Sequence, residues 1–220
     1  MNDPNEQHKP VDESTISRAL RERGDEGLAE HFSAFQPRLK QIIRFRMDRR
    51  LLARVSESDV IQETYVRAAK RIDHFLEQPD LPFFVWLRLE VQQKLHELHR
   101  FHLGAAKRDA RAEVSFVSGS QNHGQTSMCL AHHLAAQITS PSLVVQREEQ
   151  LEFLKQALDE MNETDREIIA LRHFEELSNI ETAKVLGLQP SAASKRYLRA
   201  LKRVGEILKE AQQFDEPTSR

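Results

Sequence analysis

Apolar residues recur at intervals of three and four over two long blocks, from about Ser14 to about His102 and from about Leu143 to about Ala211, and neither block alternates as a strand does. That spacing admits amphipathic helices and little else. Pro79 and Pro82 break the first block, so its last helix is expected to begin near Phe83. Between the blocks the run SFVSGSQNHGQTSM is small and polar, and ITSPS adds a second turn signal. The expected architecture is all-α: two helical domains, 15–113 and 143–211, joined by a flexible linker over 114–142 with one short helix across Cys129–Gln137. Residues 1–14 read as a disordered lead-in and 212–220 as a frayed polar tail.

Several function classes fall away on composition. Seven glycines are too few for a turn-rich β fold, and none forms a phosphate-cradling loop. No carboxylate pair or nucleophile elbow is found, so the chain is expected to be no enzyme and to need no cofactor. No apolar run approaches the ~20 residues of a membrane span. The opening MNDPNEQHKPVDES lacks the apolar core of a signal peptide. Cys129 is the only cysteine, which excludes an internal disulfide and suits a reducing cytoplasm. The net charge of −2 is unevenly spread: residues 195–203 hold five basic side chains and no acidic one. Positive strips on a near-neutral chain suit positioned DNA contacts with weak free binding, since non-specific affinity scales with the phosphates neutralised.

The strongest local pattern lies near the C-terminus. Ser178-Asn179-Ile180-Glu181 has the spacing of a capping box, Gly187 suits a left-handed helix stop, and Pro190 suits a first helical turn. In the following helix Ala193, Tyr197, Ala200, Leu201 and Val204 form one expected buried stripe. Lys195, Arg199 and Lys202 form a second, with Arg196 and Arg203 on its flank. A short capped helix, a glycine turn and a basic amphipathic helix make a helix-turn-helix, small Ala183 allowing the two helices to cross closely. Ser191, Ser194, Lys195, Arg196, Arg199, Lys202 and Arg203 are its candidate DNA contacts, phosphates and guanine edges both lying within their chemistry.

DREIIALRHFEELSNIETAKVLGLQPSAASKRYLRALKRV resembles the promoter-reading region four of extracytoplasmic-function sigma factors, through Arg166-Glu167, Leu177-Ser178, Arg196 and Arg199-Ala200. Thr182 and Ala193 depart from that family's aliphatic residues. RGDEGLAEHFSAFQPRLKQII is similar to the family's opening helices, through Arg23-Gly24-Asp25 and Pro37-Arg38-Leu39. SDVIQETYVRAAKRIDHF resembles the helix that docks on core polymerase, and Asp59, Gln62 and Glu63 are its implied contacts. Ile61, Tyr65, Ala68, Ile72 and Phe75 make its expected buried stripe. FFVWLRLEVQQKLHELHRFH resembles the element that opens and reads the minus-ten region. There Gln93, Glu97 and Arg100 occupy the implied reading positions, Trp86 is expected in the core, and Glu90 replaces an aliphatic residue. The resemblance covers about 15–113 and 143–210. It implies core RNA polymerase and promoter DNA as partners, and leaves open an anti-sigma regulator.

Two other readings compete. A helix-turn-helix regulator acting alone would share the C-terminal block but leave the first block unexplained. A hydrolytic metalloenzyme would use His123, Cys129, His132 and His133, whose spacing lacks the second close pair of a structural zinc site. His96, His99 and His102 are expected on a DNA-facing or solvated helix face.

Overall fold

The computed structural model describes residues 12–48, 50–51, 54–78, 81–103, 123–138 and 144–213. The described residues form helices and contain no strand. They fall into two units, Met1–Ala110 and Arg111–Arg220.

Unit 1 holds α1 (Glu13–Arg23), α2 (Asp25–Arg46), α3 (Glu57–Leu76) and α4 (Phe83–Leu103). Helix α1 starts inside the expected lead-in because the Asp12 carboxylate accepts the Ser14 backbone N–H and caps it. Helices α1 and α2 approach closely at Gly27, where a Cβ would lie 2.5 Å from the Ala19 carbonyl oxygen. The core is aromatic. Phe75 stacks on Trp86 at 4.9 Å between centroids, and Phe83 meets Phe35, Phe75 and Trp86 within 5.9 Å. Trp86 is therefore a core residue. On α3 the expected stripe holds at Ile61, Ala68 and Phe75, with Tyr65 and Ile72 half-buried at its margin. A Glu13 carboxylate oxygen accepts the Phe83 backbone N–H at 2.9 Å, satisfying a donor at the start of α4.

Unit 2 holds α5 (His123–Ile138), α6 (Val144–Asp159), α7 (Glu163–Ile169), α8 (Asn179–Leu186) and α9 (Pro190–Gln213). Here the linker expectation is corrected. Helix α5 is longer than Cys129–Gln137 and packs on α6, burying Leu130, Ala131, Leu134 and Ala135. Its apolar repeat is diluted by His, Ser and Gln, which in sequence read as turn composition. Residues 114–122 and 139–142 of the expected linker lie outside the described residues, as do 1–11, 104–113 and 214–220. Helix α9 runs to Gln213, so it takes in the first two residues of the expected tail.

The Arg166-Glu167 pair has structural duties. Buried Arg166 donates through Nη1 to the carbonyls of Leu158, Asp159 and Met161 at 2.7–2.9 Å, closing the C-terminal end of α6. Glu167 accepts the Thr126 hydroxyl of α5 at 3.1 Å. Helix α7 continues into one π turn, Ala170–Phe174, which no sequence signal announced.

Candidate nucleic-acid interface

The helix-turn-helix forms as its local chemistry requires. The Ser178 hydroxyl accepts the Glu181 backbone N–H at 3.2 Å, and the Glu181 carboxylate accepts the Ser178 backbone N–H at 2.7 Å. Gly187 ends α8 in the left-handed region at φ 63°, a conformation costly for residues with a Cβ. The Asn179 amide then donates to the Pro190 carbonyl at 2.8 Å, tying the start of α8 to the start of α9. Sequence reading missed this staple because Asn179 read only as part of the capping box.

Helix α9 buries Ala193, Ala200, Val204, Ile207 and Ala211. Tyr197 is half-buried under the Arg172 guanidinium, 5.2 Å from its ring centroid, and burial pushes the phenol pKa up. Leu201 does not join the stripe: it is 36% exposed, and Leu198 is 66% exposed beside it. The helix continues to Gln213, and Ile207 and Ala211 supply the buried contacts in line with Ala200 and Val204.

Ser191, Ser194, Lys195, Arg199 and Lys202 stand exposed. The two flanking arginines differ. Arg196 donates to Asp165 of α7 at 2.8 Å, and Arg203 pairs with Glu206 at 3.4 Å and Glu210 at 3.8 Å on its own helix. The sequence grouped seven side chains, and the structure turns Arg196 back onto its own domain.

In unit 1 the candidate minus-ten residues lie along α4. Glu97 receives Arg67 of α3 at 2.7 Å, Gln93 lies 3.5 Å from Glu97, and Arg100 is exposed. Glu90, two turns before Glu97, is buried between Arg67 at 3.0 Å and Arg71 at 3.1 Å. Phe101 is 82% exposed beside Arg100. An exposed aromatic next to a basic residue offers a stacking face for an unpaired base. Its signal in sequence was the lone aromatic in the polar end of the helix.

His99 is half-buried rather than solvated. It accepts the Asp48 backbone N–H at 3.2 Å, and burial pulls its pKa down. The His102 side chain lies outside the described residues.

On α3 the polymerase-docking candidates Asp59, Gln62 and Glu63 are all exposed. Asp59 has a second duty as the partner of Ser56 in a capping box: it accepts the Ser56 backbone N–H at 3.0 Å and hydroxyl at 2.8 Å. Those bonds hold its carboxyl below the ordinary aspartate value. Glu63 forms an ion pair with Lys94 of α4.

Among the described residues no three His, Cys, Asp or Glu side chains group as a metal ion requires. His133 of α5 instead packs on the Phe174 ring at 5.1 Å. No helix among the described residues is long and apolar enough to cross a membrane.

Residues 152–204, which include α8 and most of α9, match the family model for Sigma-70, region 4. RNA polymerase sigma factor CnrH of Cupriavidus metallidurans is 31% identical over 150 residues, 68% of this chain and 72% of that protein. The chain belongs to the extracytoplasmic-function sigma factors. RNA polymerase sigma factor NccH of Alcaligenes xylosoxydans xylosoxydans is 27% identical over 154 residues, 70% of this chain and 74% of that one. A solved structure of CnrH in complex with the cytosolic domain of CnrY shares the fold, with a TM-score of 0.50 and 22% identity, covering 90% of this chain and 97% of that one. The sigma factor acts in transcription initiation, and unit 2 carries its DNA-binding region.

Proposed function

We propose that this sigma factor docks on core RNA polymerase through Asp59, Gln62 and Glu63 of α3. It opens and reads the minus-ten element with Gln93, Glu97 and Arg100 of α4. It reads the minus-thirty-five element with Ser191, Ser194, Lys195, Arg199 and Lys202 of α9. In this reading Arg196 sets the angle of α9 through Asp165, and Arg203 lies at the margin of the DNA face. The observation that carries the reading is the cationic face of α9. Lys195, Arg199 and Lys202 are exposed opposite the buried Ala193–Ala200–Val204 stripe, where long basic side chains meet a major groove best.

The protein works by binding in the cytoplasm and catalyses no reaction of its own. An anti-sigma regulator is a further partner in this proposal, supported by the CnrH structure solved with the cytosolic domain of CnrY. Two weak DNA-binding units gain effective concentration once a shared platform holds both. Promoter-specific binding therefore requires core polymerase. Run-off transcription with purified core enzyme on a genomic library tests the whole scheme. Tight sequence-specific binding by the free protein at physiological salt would instead make it a regulator acting alone.

A further inference from the structure

Four charged side chains from α3 and α4 meet in a seam of unit 1. The Glu90 carboxylate, 2% exposed, receives Arg67 Nε at 3.0 Å and Arg71 Nη1 at 3.1 Å. Arg67 turns its Nη1 to Glu97 at 2.7 Å. One guanidinium thus spans two carboxylates that sit two turns apart on the same face of α4. Burial opposes charge on Arg67, yet its hydrogen bonds to Glu90 and Glu97 hold its pKa above the ordinary value. Glu90 and Glu97 stand against Arg67 and Arg71, and Glu90 is the one member fully buried, so its charge depends most on the two guanidiniums.

This arrangement is not what seats α4 on its neighbours. Phe83, Phe84, Trp86, Leu87, Val91 and Leu95 of the same helix already do so. A buried ion pair adds little stability over apolar residues of similar volume, and its best-attested use is to fix geometry. Here the geometry fixed belongs to Glu97.

We propose that Glu90 is a positioning residue for promoter opening, acting through Arg67 to hold the Glu97 carboxylate where an unpaired minus-ten base is received. The inference rests on the minus-ten role proposed for Glu97. Glu90 gives Arg67 a second anchor, and Arg71 keeps the Glu90 carboxylate from rotating away. With that anchor lost, Arg67 is free to swing and Glu97 keeps only the long contact from Gln93 at 3.5 Å. The site then orders itself only as DNA arrives, which costs binding free energy at the opening step.

The test uses the full chain with core polymerase. Glu90→Gln keeps the size but removes the charge and one of the two acceptor oxygens. Its readouts are permanganate reactivity of promoter thymines, base preference at the minus-ten element across a promoter library, and affinity for core. Opening should fall about tenfold with an altered base preference, while core affinity stays within about twofold. In a Glu97→Gln background the same change should add less than about twofold, because its route to the DNA is gone. Wild-type opening and preference in Glu90→Gln overturn the inference, as does an undiminished loss in the Glu97→Gln background. Wild-type opening in Glu97→Gln removes the minus-ten role itself and this inference with it. An impaired Glu97→Gln beside an unimpaired Glu90→Gln removes Glu90 alone. Should Glu90→Gln fail to fold, Glu90→Leu with Arg71→Leu supplies an apolar pair. That variant should fold yet lose the wild-type base preference, and retained preference overturns the inference.

Discussion

The two units present charge in opposite ways. On α9 of unit 2, Lys195, Arg199 and Lys202 reach into solvent and are ion-paired to none of the described residues. On α4 of unit 1, Glu90 and Glu97 are tied to Arg67 and Arg71 of α3. The difference suits two kinds of target. A duplex offers phosphates and base edges at fixed places, so long flexible cations suffice and counterion release supplies affinity. A base leaving the stack has no fixed place, so its receiving site must be ordered beforehand. Unit 2 invests in charge and unit 1 in rigidity.

The largest expected effect tests whether an open cationic face needs a rigid frame behind it. Arg166→Met leaves the carbonyls of Leu158, Asp159 and Met161 without their buried donor. The loss to unit 2 should be about 3 kcal/mol, the cost of stranding buried polar groups around a missing charge. Denaturant unfolding followed by circular dichroism should show it. The fluorescence of Trp86, the single tryptophan and a core residue of unit 1, should report an unchanged midpoint. A shift of both signals together would mean the two units do not unfold independently.

Next in size is the reading face itself. Lys195→Ala with Arg199→Ala should weaken minus-thirty-five recognition by about 1–3 kcal/mol where a bidentate base contact is lost. Exposed residues without partners can be removed at little cost, so the melting temperature should hold. The salt dependence of binding should also flatten, by about one unit of slope for each phosphate contact removed. Unchanged promoter selection by this variant would remove α9 as the reader.

How far this division was legible in sequence follows from the range of the forces involved. The helix-turn-helix was readable because its determinants are local: Ser178 with Glu181, Gly187 and Pro190 act within a turn of themselves. Of the aromatic core, Phe75 was readable from helical spacing and Trp86 from the family resemblance, while Phe35 and Phe83 were not singled out as core residues. Long-range pairs were not readable. Glu90 looked like a weak match because nothing in α4 announces Arg67 and Arg71 on another helix. Arg196 was grouped with the DNA face because Asp165 lies 31 residues away. Helix α5 was underestimated because His, Ser, Thr and Gln interrupt its apolar repeat, and the α6 surface it packs on is not visible in its own sequence. The candidate residues on α3, α4 and α9 could be assigned to helices from sequence, while which of them are held by partners was invisible.

A third prediction sharpens the contrast inside unit 1. Glu97→Gln breaks the partner of Arg67, whereas Arg100→Ala removes an exposed side chain. Glu97→Gln should slow promoter opening about tenfold and also cost up to about 1 kcal/mol in stability, the pair being partly solvated. Arg100→Ala should slow opening less and leave stability unchanged. Adding salt should shrink the Arg100 effect more than the Glu97 effect, since the Arg67–Glu97 pair is only partly exposed and is screened less. Normal permanganate reactivity in both variants would take α4 out of the opening step.

The smallest expected effect concerns α3, the helix proposed to dock on core polymerase, where Asp59 also closes a capping box. Gln62 and Glu63 are exposed, so Gln62→Lys with Glu63→Lys should reduce affinity for core polymerase severalfold, mainly by slowing association and less so at high salt. Thermal stability should fall only modestly, because the Glu63 side of its pair with Lys94 is exposed. Asp59 behaves differently, since its carboxylate closes the capping box with Ser56. Asp59→Asn should weaken docking and also loosen the first turn of α3. The acid dependence separates the two contributions. Because the folded carboxyl pKa is depressed, Asp59 stabilises the fold fully above the ordinary aspartate value, and that contribution fades as pH falls through the depressed value. Wild type and Asp59→Asn should therefore differ in melting temperature at neutral pH and converge in acid. A constant gap between wild type and Asp59→Asn at every pH would assign the loss to the side chain's shape rather than its charge. Unimpaired co-purification of the lysine variant with core polymerase would take α3 out of the docking surface and leave the sigma-factor contacts to be found elsewhere in unit 1.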